Sequence, residues 1–275
     1  MLLVVGANGQ LGTELRTQLQ DRAEYVDVDD VDISCEDAVA ALFARRDYEA
    51  VINCAAYTAV DRAEDDPVRA DAVNHLGPLF LARYGRRIVH ISTDYVFNGE
   101  SPRPYVETDA ARPLSVYGRS KLAGENACLA AAASAVVIRS SWLYSPHGQN
   151  FYKTMRRLAA GGGPLRVVFD QVGTPTYAGH LASAIIAVLP QLRDGRREIY
   201  HYSDEGVCSW YDFAVAIMAQ CSLRCRIEPI RSCDYPTRAQ RPSFSVLDKA
   251  KFKKAFAVAI PHWQEGLQEC SRQTP

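Results

Sequence analysis

The first apolar run, Leu2-Leu3-Val4-Val5, is unbroken and stops at Gly6. A strand covered on both faces reads this way, without the polar alternation of a half-exposed one. Apolar residues return at Leu11, Leu15 and Leu19, four apart, which predicts a helix over Gln10–Leu19. The alternation continues, with strands expected at Tyr25–Val28, Ala50–Cys54, Arg87–Ile91 and Ala135–Ile138. Helices are expected at Glu36–Arg46, from Pro67 to about Arg83, and within Leu114–Ala132. Strands alternating with helices predict a parallel sheet covered on both sides. After about residue 142 the pattern loosens. Gly161-Gly162-Gly163-Pro164 marks a turn. Short strands at Leu165–Phe169, Glu198–Tyr202 and Arg226–Pro229 then mix with helices near 178–189, 209–220 and 262–270.

Gly6-Ala7-Asn8-Gly9-Gln10-Leu11-Gly12 follows the first strand and opens the first helix. Backbone N–H groups and the helix dipole can hold a pyrophosphate there, and glycine lets the backbone come close. Asp27 lies about twenty residues further on, where a carboxylate can take the adenosine ribose hydroxyls of NAD. Asp29, Asp30 and Asp32 add negative charge beside it. A 2′-phosphate would be repelled unless an arginine reached in, so the pattern favours NADH over NADPH. The expected fold is α/β, a Rossmann-type doubly wound parallel sheet with a smaller C-terminal α+β lobe. Residues 1–142 would bind the dinucleotide, with 172–190 returning to that domain, and 143–275 would mainly bind substrate.

Composition narrows the partners. Among 275 residues, 31 Lys and Arg face 32 Asp and Glu, for a net charge of −1. Such a balance supplies no global positive field for nucleic acid. No apolar run reaches the roughly 20 residues of a membrane span, and no basic, long-apolar leader is seen, so a cytoplasmic protein is expected. The eight cysteines include no paired CxxC and are expected as free thiols; zinc at Cys221, Cys225 and Cys233 lacks the usual short spacings.

The candidate chemistry lies at Tyr117 and Lys121. Four apart on a helix they share a face, and an ammonium beside a phenol stabilises the phenolate. With 14 tyrosines, chance alone gives about 0.3 such pairs, so the motif needs context. Ser92-Thr93-Asp94 supplies it, at the end of the fourth strand, where open α/β sheets bind ligands.

Together with Asn53-Cys54-Ala55-Ala56 and Tyr117-Gly118-Arg119-Ser120-Lys121, these motifs resemble the extended short-chain dehydrogenase/reductase family. The finer resemblance is to its dTDP-4-dehydrorhamnose reductase branch. It rests on Ala55-Ala56-Tyr57-Thr58-Ala59-Val60-Asp61, Ser92-Thr93-Asp94-Tyr95-Val96-Phe97, Gly124-Glu125, Arg139-Ser140-Ser141-Trp142, Asn150-Phe151, Asp170 to Thr176 and Arg241-Pro242, and runs from Met1 to about Trp263.

The resemblance implies roles. Tyr117 would protonate the C4 oxygen of a nucleotide-linked keto sugar, with hydride from NADH or NADPH. Lys121 would bind the nicotinamide ribose and lower the Tyr117 pKa, and Thr93 would hydrogen-bond the same carbonyl. Gly6, Gly9, Gln10, Leu11, Gly12, Asp27, Asp32, Ile33, Ala56, Tyr57 and Thr58 would line the cofactor. Asp94 and Trp142 would face the sugar, and Arg241 its diphosphate. Relatives that eliminate water carry Asp-Glu after the threonine; here Tyr95 stands in the glutamate's place, which favours simple ketoreduction. The chain is several residues shorter between Asn74 and Arg86, so the helix there would be clipped. Some relatives hold Mg²⁺ at a dimer interface; Glu14 matches one ligand, no residues are assigned to the others, and no metal is expected. A homodimer is the assembly the resemblance suggests. Two alternatives stand beside this reading: reduction of another 4-keto-6-deoxy sugar nucleotide, and a non-catalytic NAD(P) binder like the regulatory subunit of methionine adenosyltransferase. The intact Thr93, Tyr117 and Lys121 speak against the latter.

Overall fold

Six parallel strands form one sheet, and its order places the ligand crevice. The structure is a computed structural model that describes residues 1–274. β1 (Leu2–Val5) pairs with β2 (Ala23–Val26) on one side and β3 (Ala50–Asn53) on the other. β4 (Arg87–Thr93), β5 (Ser134–Ser140) and a sixth strand, Arg197–His201, follow outward from β3. Chain order therefore reverses between β1 and β3, and such a switch point opens a crevice at the strand ends.

Both faces of the sheet are covered, which explains the unbroken apolar runs. Leu2, Val4, Ile52, Val89 and Val136 pack toward one layer; Leu3, Val5, Val51, Ile88 and Val137 pack toward the other. The first layer holds α1 (Gln10–Leu19) and, from later in the chain, Leu181 and Ile185. The second holds α2 (Glu36–Arg45) and residues such as Phe80, Leu81 and Cys128. A short α3 (Val60–Ala63), absent from the sequence expectation, follows the β3 loop. The helix expected from Pro67 is composite. It runs as α4 (Pro67–Asp71), widens into a π-turn over Ala72–Leu76, and resumes as α5 (Gly77–Tyr84). α6 (Val116–Ala131) begins at Ser115, whose side chain accepts the Gly118 amide.

The remainder builds a second core around Tyr144, Tyr152, Phe213, Ile217, Trp263 and Leu267. Its helices are α7 (Phe151–Ala160), α9 (Trp210–Gln220) and α11 (Trp263–Arg272), with Leu165–Val168 pairing parallel to Ile227–Ile230. Three segments in the second half of the chain return to the sheet. α8 (Ala178–Val188) lies on α1, and α10 (Ala250–Phe256) packs Phe252 and Phe256 beneath the sixth strand. The sixth strand, expected as Glu198–Tyr202, is thus part of the main sheet. Four strand ends differ at the site: β3 stops at Asn53, one short of Cys54, and β5 runs on past Ile138 to Ser140. β2 stops at Val26 because the Asp27 carboxylate turns back onto the Val28 amide, and β4 runs on to Thr93. Among the described residues, no helix is long and apolar enough to cross a membrane.

Candidate active site

A cleft of about 780 Å³ crosses the strand ends, from Asp27 and Asp32 at one end, past the glycine turn, to Thr93, Tyr117 and Trp142. That volume suits a ligand well above water size. At its centre the backbone is bare. Gly6 sits at φ +79°, and a Cβ there would lie 2.6 Å from the Ala55 nitrogen. A Cβ on Gly12 would collide with the Gly6 carbonyl and Ala7. The N-cap, Gly9, has no side chain, so no side chain caps the first-turn amides of α1. Gly9, Gln10, Leu11 and Gly12 all line the cleft. Uncapped amides beside a floor that excludes any Cβ fit a dinucleotide pyrophosphate.

Asp27 holds that turn in place: Oδ2 accepts the Asn8 amide at 2.7 Å and Oδ1 the Val28 amide at 2.8 Å. Asp32 and Ile33 line the same end. The Ser34 hydroxyl and amide hold the Asp32 carboxyl below its usual range, and Arg69 from α4 adds to this at 3.7 Å. Arg69 itself lines the cleft. An arginine therefore does reach the Asp27–Asp32 end of the cleft, which the sequence pattern alone did not reveal. Ala56, Tyr57 and Thr58 line the middle.

Asn74, unassigned from the sequence, grips that middle segment. Its Oδ1 accepts the Tyr57 amide at 2.8 Å, and its Nδ2 donates to the Tyr57 carbonyl at 3.1 Å and to Ser120 Oγ at 3.0 Å. The π-turn presents it there, pressing the Asn74 carbonyl into bare backbone at Gly124, where a Cβ would collide. π-turns recur at functional sites.

Tyr117 and Lys121 share one face of α6, as the spacing requires. Gly118 lets the first turn lie directly on Tyr95, whose ring meets Tyr117 edge to face at 5.7 Å. Burial pushes the Tyr117 phenol up to about 12, with the Thr93 hydroxyl pulling it back and Asp94 adding to the rise. This corrects the expectation of a phenol lowered by Lys121. Lys121 Nζ is instead tied to the Ile91 carbonyl at 2.6 Å, and burial brings its own pKa down to about 8. A phenol near 12 stays protonated at neutral pH, the state a proton donor needs.

Behind this pair lies a buried knot. Glu125, one turn beyond Lys121, takes Arg139 of β5 through two nitrogens at 2.9 and 2.7 Å and the Ser92 hydroxyl of β4 at 2.5 Å. One carboxylate thus ties α6 to the ends of both strands. Trp142, just past β5, has φ +47°, uncommon for a bulky residue. It stacks on Trp210 of α9 at 3.5 Å and 7°, above Gly173, where a Cβ would lie 2.7 Å from the indole. Both indoles line the cleft. Arg241 does not face its main volume. It lines a neighbouring hollow of about 440 Å³ and pairs with Asp61, Nη2 to Oδ2 at 2.7 Å.

Glu14 is buried under Tyr177 and beside His147, its carboxyl raised by burial. Among the described residues no cluster of three His, Cys, Asp or Glu is gathered as a metal site.

The family described as RmlD substrate binding domain matches residues 1–274. This chain belongs to that family. A dTDP-4-dehydrorhamnose reductase of Aggregatibacter actinomycetemcomitans is 40% identical, over 97% of each chain. The solved dTDP-4-dehydrorhamnose reductase of Bacillus anthracis, in complex with NADP, is 33% identical with a TM-score of 0.95 over 99% of each chain. A third relative, a probable dTDP-4,6-dihydroxy-2-methyloxan-3-one 4-ketoreductase of Streptomyces antibioticus, is 39% identical over 97% of this chain and 93% of its own.

Proposed function

We propose that this protein reduces the C4 keto group of dTDP-4-dehydro-β-L-rhamnose, giving dTDP-β-L-rhamnose with NADH or NADPH as reductant. One observation carries the reading: Thr93, Tyr117 and Lys121 line a single cleft with a glycine turn open to a dinucleotide pyrophosphate. The bound dihydronicotinamide supplies hydride to the sugar carbon. Tyr117, kept protonated by burial, gives its proton to the C4 oxygen as charge builds there. Lys121, one helical turn further along the same face of α6, holds the nicotinamide ribose. The Thr93 hydroxyl binds the same oxygen, while Asp94 and Trp142 flank the sugar. Gly6, Gly9, Gln10, Leu11 and Gly12 take the pyrophosphate, and Asp27, Asp32 and Ile33 the adenosine side. Ala56, Tyr57 and Thr58 line the middle of the cofactor, and Arg241 meets the substrate diphosphate. The sheet half would hold the cofactor and the smaller lobe the sugar nucleotide. We place the enzyme in the cytoplasm, a reading supported by eight free thiols.

The relative from Streptomyces antibioticus supports a second reading, ketoreduction of a different dTDP-linked sugar on the same machinery. The test is loss of NADH or NADPH absorbance with dTDP-4-dehydro-β-L-rhamnose made in situ. Rapid loss with dTDP-L-rhamnose as product establishes the reaction. Cofactor binding without loss moves the assignment to another sugar nucleotide.

A further inference from the structure

A threonine hydroxyl has one proton to give. The Thr93 hydroxyl gives it to Asp94, Oγ1 to Oδ1 at 3.0 Å, and Oγ1 also accepts the Tyr95 amide at 3.1 Å. In that state Thr93 has nothing left to donate to a substrate oxygen. The reductase reading, on which this inference rests, needs that proton in the cleft. The two requirements agree when the carboxyl carries its own proton. Its O–H then donates to Oγ1, whose two acceptor positions are filled by Asp94 and the Tyr95 amide, and the Thr93 proton is released toward the cleft.

We propose that Asp94 is a positioning residue acting through Thr93: protonated, it turns the Thr93 hydroxyl onto the C4 oxygen of the keto sugar, and ionised, it holds that hydroxyl away. The surroundings suit the neutral form. Asp94 is 2% exposed, and its Oδ2 is buried without a hydrogen-bond partner. The Ser245 hydroxyl is close enough to favour the carboxylate, yet falls short of a hydrogen bond to Oδ2. Tyr117 stands beside the Thr93 hydroxyl on the cleft side and faces the carboxyl from α6, and Tyr95 faces it from its own turn. Arg241, which approaches Tyr95 from the C-terminal segment, has its charge met by Asp61. Lys121 is turned to the Ile91 carbonyl. No cation therefore bonds Asp94 directly, and burial pushes its carboxyl up to about 6.

The experiment is the pH profile of kcat/KM for the keto sugar from pH 5.5 to 8.5. NADH is used because the 2′-phosphate of NADPH itself titrates at about 6. The parent enzyme is expected to lose about tenfold or more in kcat/KM between pH 6 and 8, following the free enzyme's acid form. Asp94→Asn cannot ionise and can present its amide N–H to Thr93, so its profile should be flat over that interval. NADH binding and the melting temperature of the variant check that it is folded. A limb that persists in Asp94→Asn overturns the proposal. Ser245→Ala offers a milder route: removing a group that favours the carboxylate should move the limb to higher pH, and an unmoved limb counts against the idea. Parent turnover without any limb removes this proposal alone, whereas no parent turnover at any pH removes the reductase reading with it.

Discussion

Arg241 and Asp61 are joined across the gap between the C-terminal segment and α3, with Nη2 to Oδ2 at 2.7 Å and the Ala239 amide on the same carboxylate at 3.1 Å. Arg238 and Asp65 form a second ion pair beside them at 2.5 Å. A substrate diphosphate that uses Arg241 has to compete with Asp61. Arg241→Ala should raise the KM for the keto sugar by about tenfold while leaving NADH affinity unchanged. Asp61→Asn should lower KM by about two- to tenfold at low ionic strength, and added salt should shrink that gain. Steady-state kinetics at two salt concentrations reads both; an unmoved KM in Arg241→Ala would put the diphosphate elsewhere.

Tyr117→Phe keeps the ring packed on Tyr95 and removes only the acid. Turnover should fall by about 10²–10⁴, with cofactor affinity nearly intact. Stopped-flow turnover and a fluorescence titration separate the two quantities. Near-normal turnover would mean that the proton comes from another group.

Lys121 is a stability cost as well as a functional group. Its folded pKa of about 8 lies below the unfolded value of about 10.4, so the unfolded chain binds the extra proton between those limits. Stability from this group therefore rises with pH across that window, and the full penalty, about 3 kcal/mol at most, is present below pH 8. Lys121→Met should melt higher than the parent at pH 7, lose that advantage near pH 10, and bind cofactor poorly. A lower melting temperature at pH 7 would show that the bond to the Ile91 carbonyl outweighs desolvation.

Arg69 sets a cofactor test. Arg69→Ala should weaken NADPH more than NADH, changing the ratio of their dissociation constants by about three- to tenfold. Asp27→Ala should weaken both, because its two oxygens brace the glycine turn. Fluorescence titration with each nucleotide decides; equal losses in Arg69→Ala would place that residue outside the 2′-phosphate contact.

Glu125 and Arg139 are almost fully buried together. Removing one partner leaves a bare charge, so Glu125→Ala should cost about 3–5 kcal/mol in urea unfolding. Replacing both by apolar residues of similar volume, Glu125→Leu with Arg139→Met, should restore much of that loss. A double variant no better than the single would show that Ser92 or the strand ends depend on the charges themselves.

The strands of the main sheet were legible because burial on both faces leaves unbroken apolar runs, and Gly6 ends the first of them. The glycine turn and the Tyr117–Lys121 pair were legible because their parts are local. What the chain order hid depends on distant partners. The sixth strand has an ordinary local pattern, and only pairing with β5 assigns it to the sheet. Trp210 lies 68 positions from the Trp142 ring it stacks on. Glu125 stood within a recognised motif, but its partners, Ser92 and Arg139, come from two other elements. Lys121 shares the helix face predicted for it, yet its ammonium goes to a backbone carbonyl, a choice spacing cannot express.

The π-turn over Ala72–Leu76 makes one stretch of chain intolerant of any change in length. Each residue of a helix advances the chain by about 100°, so removing one here would swing everything downstream by that angle. Phe80 and Leu81 would then rotate off the sheet, or Asn74 would let go of Tyr57. Regular helix geometry and the hold on the cleft cannot both be satisfied in this segment. Insertions and deletions should therefore be tolerated in the glycine turn at 161–163, where even a side chain added at Gly162 or Gly163 would meet no neighbour, and rejected between Asp71 and Gly77.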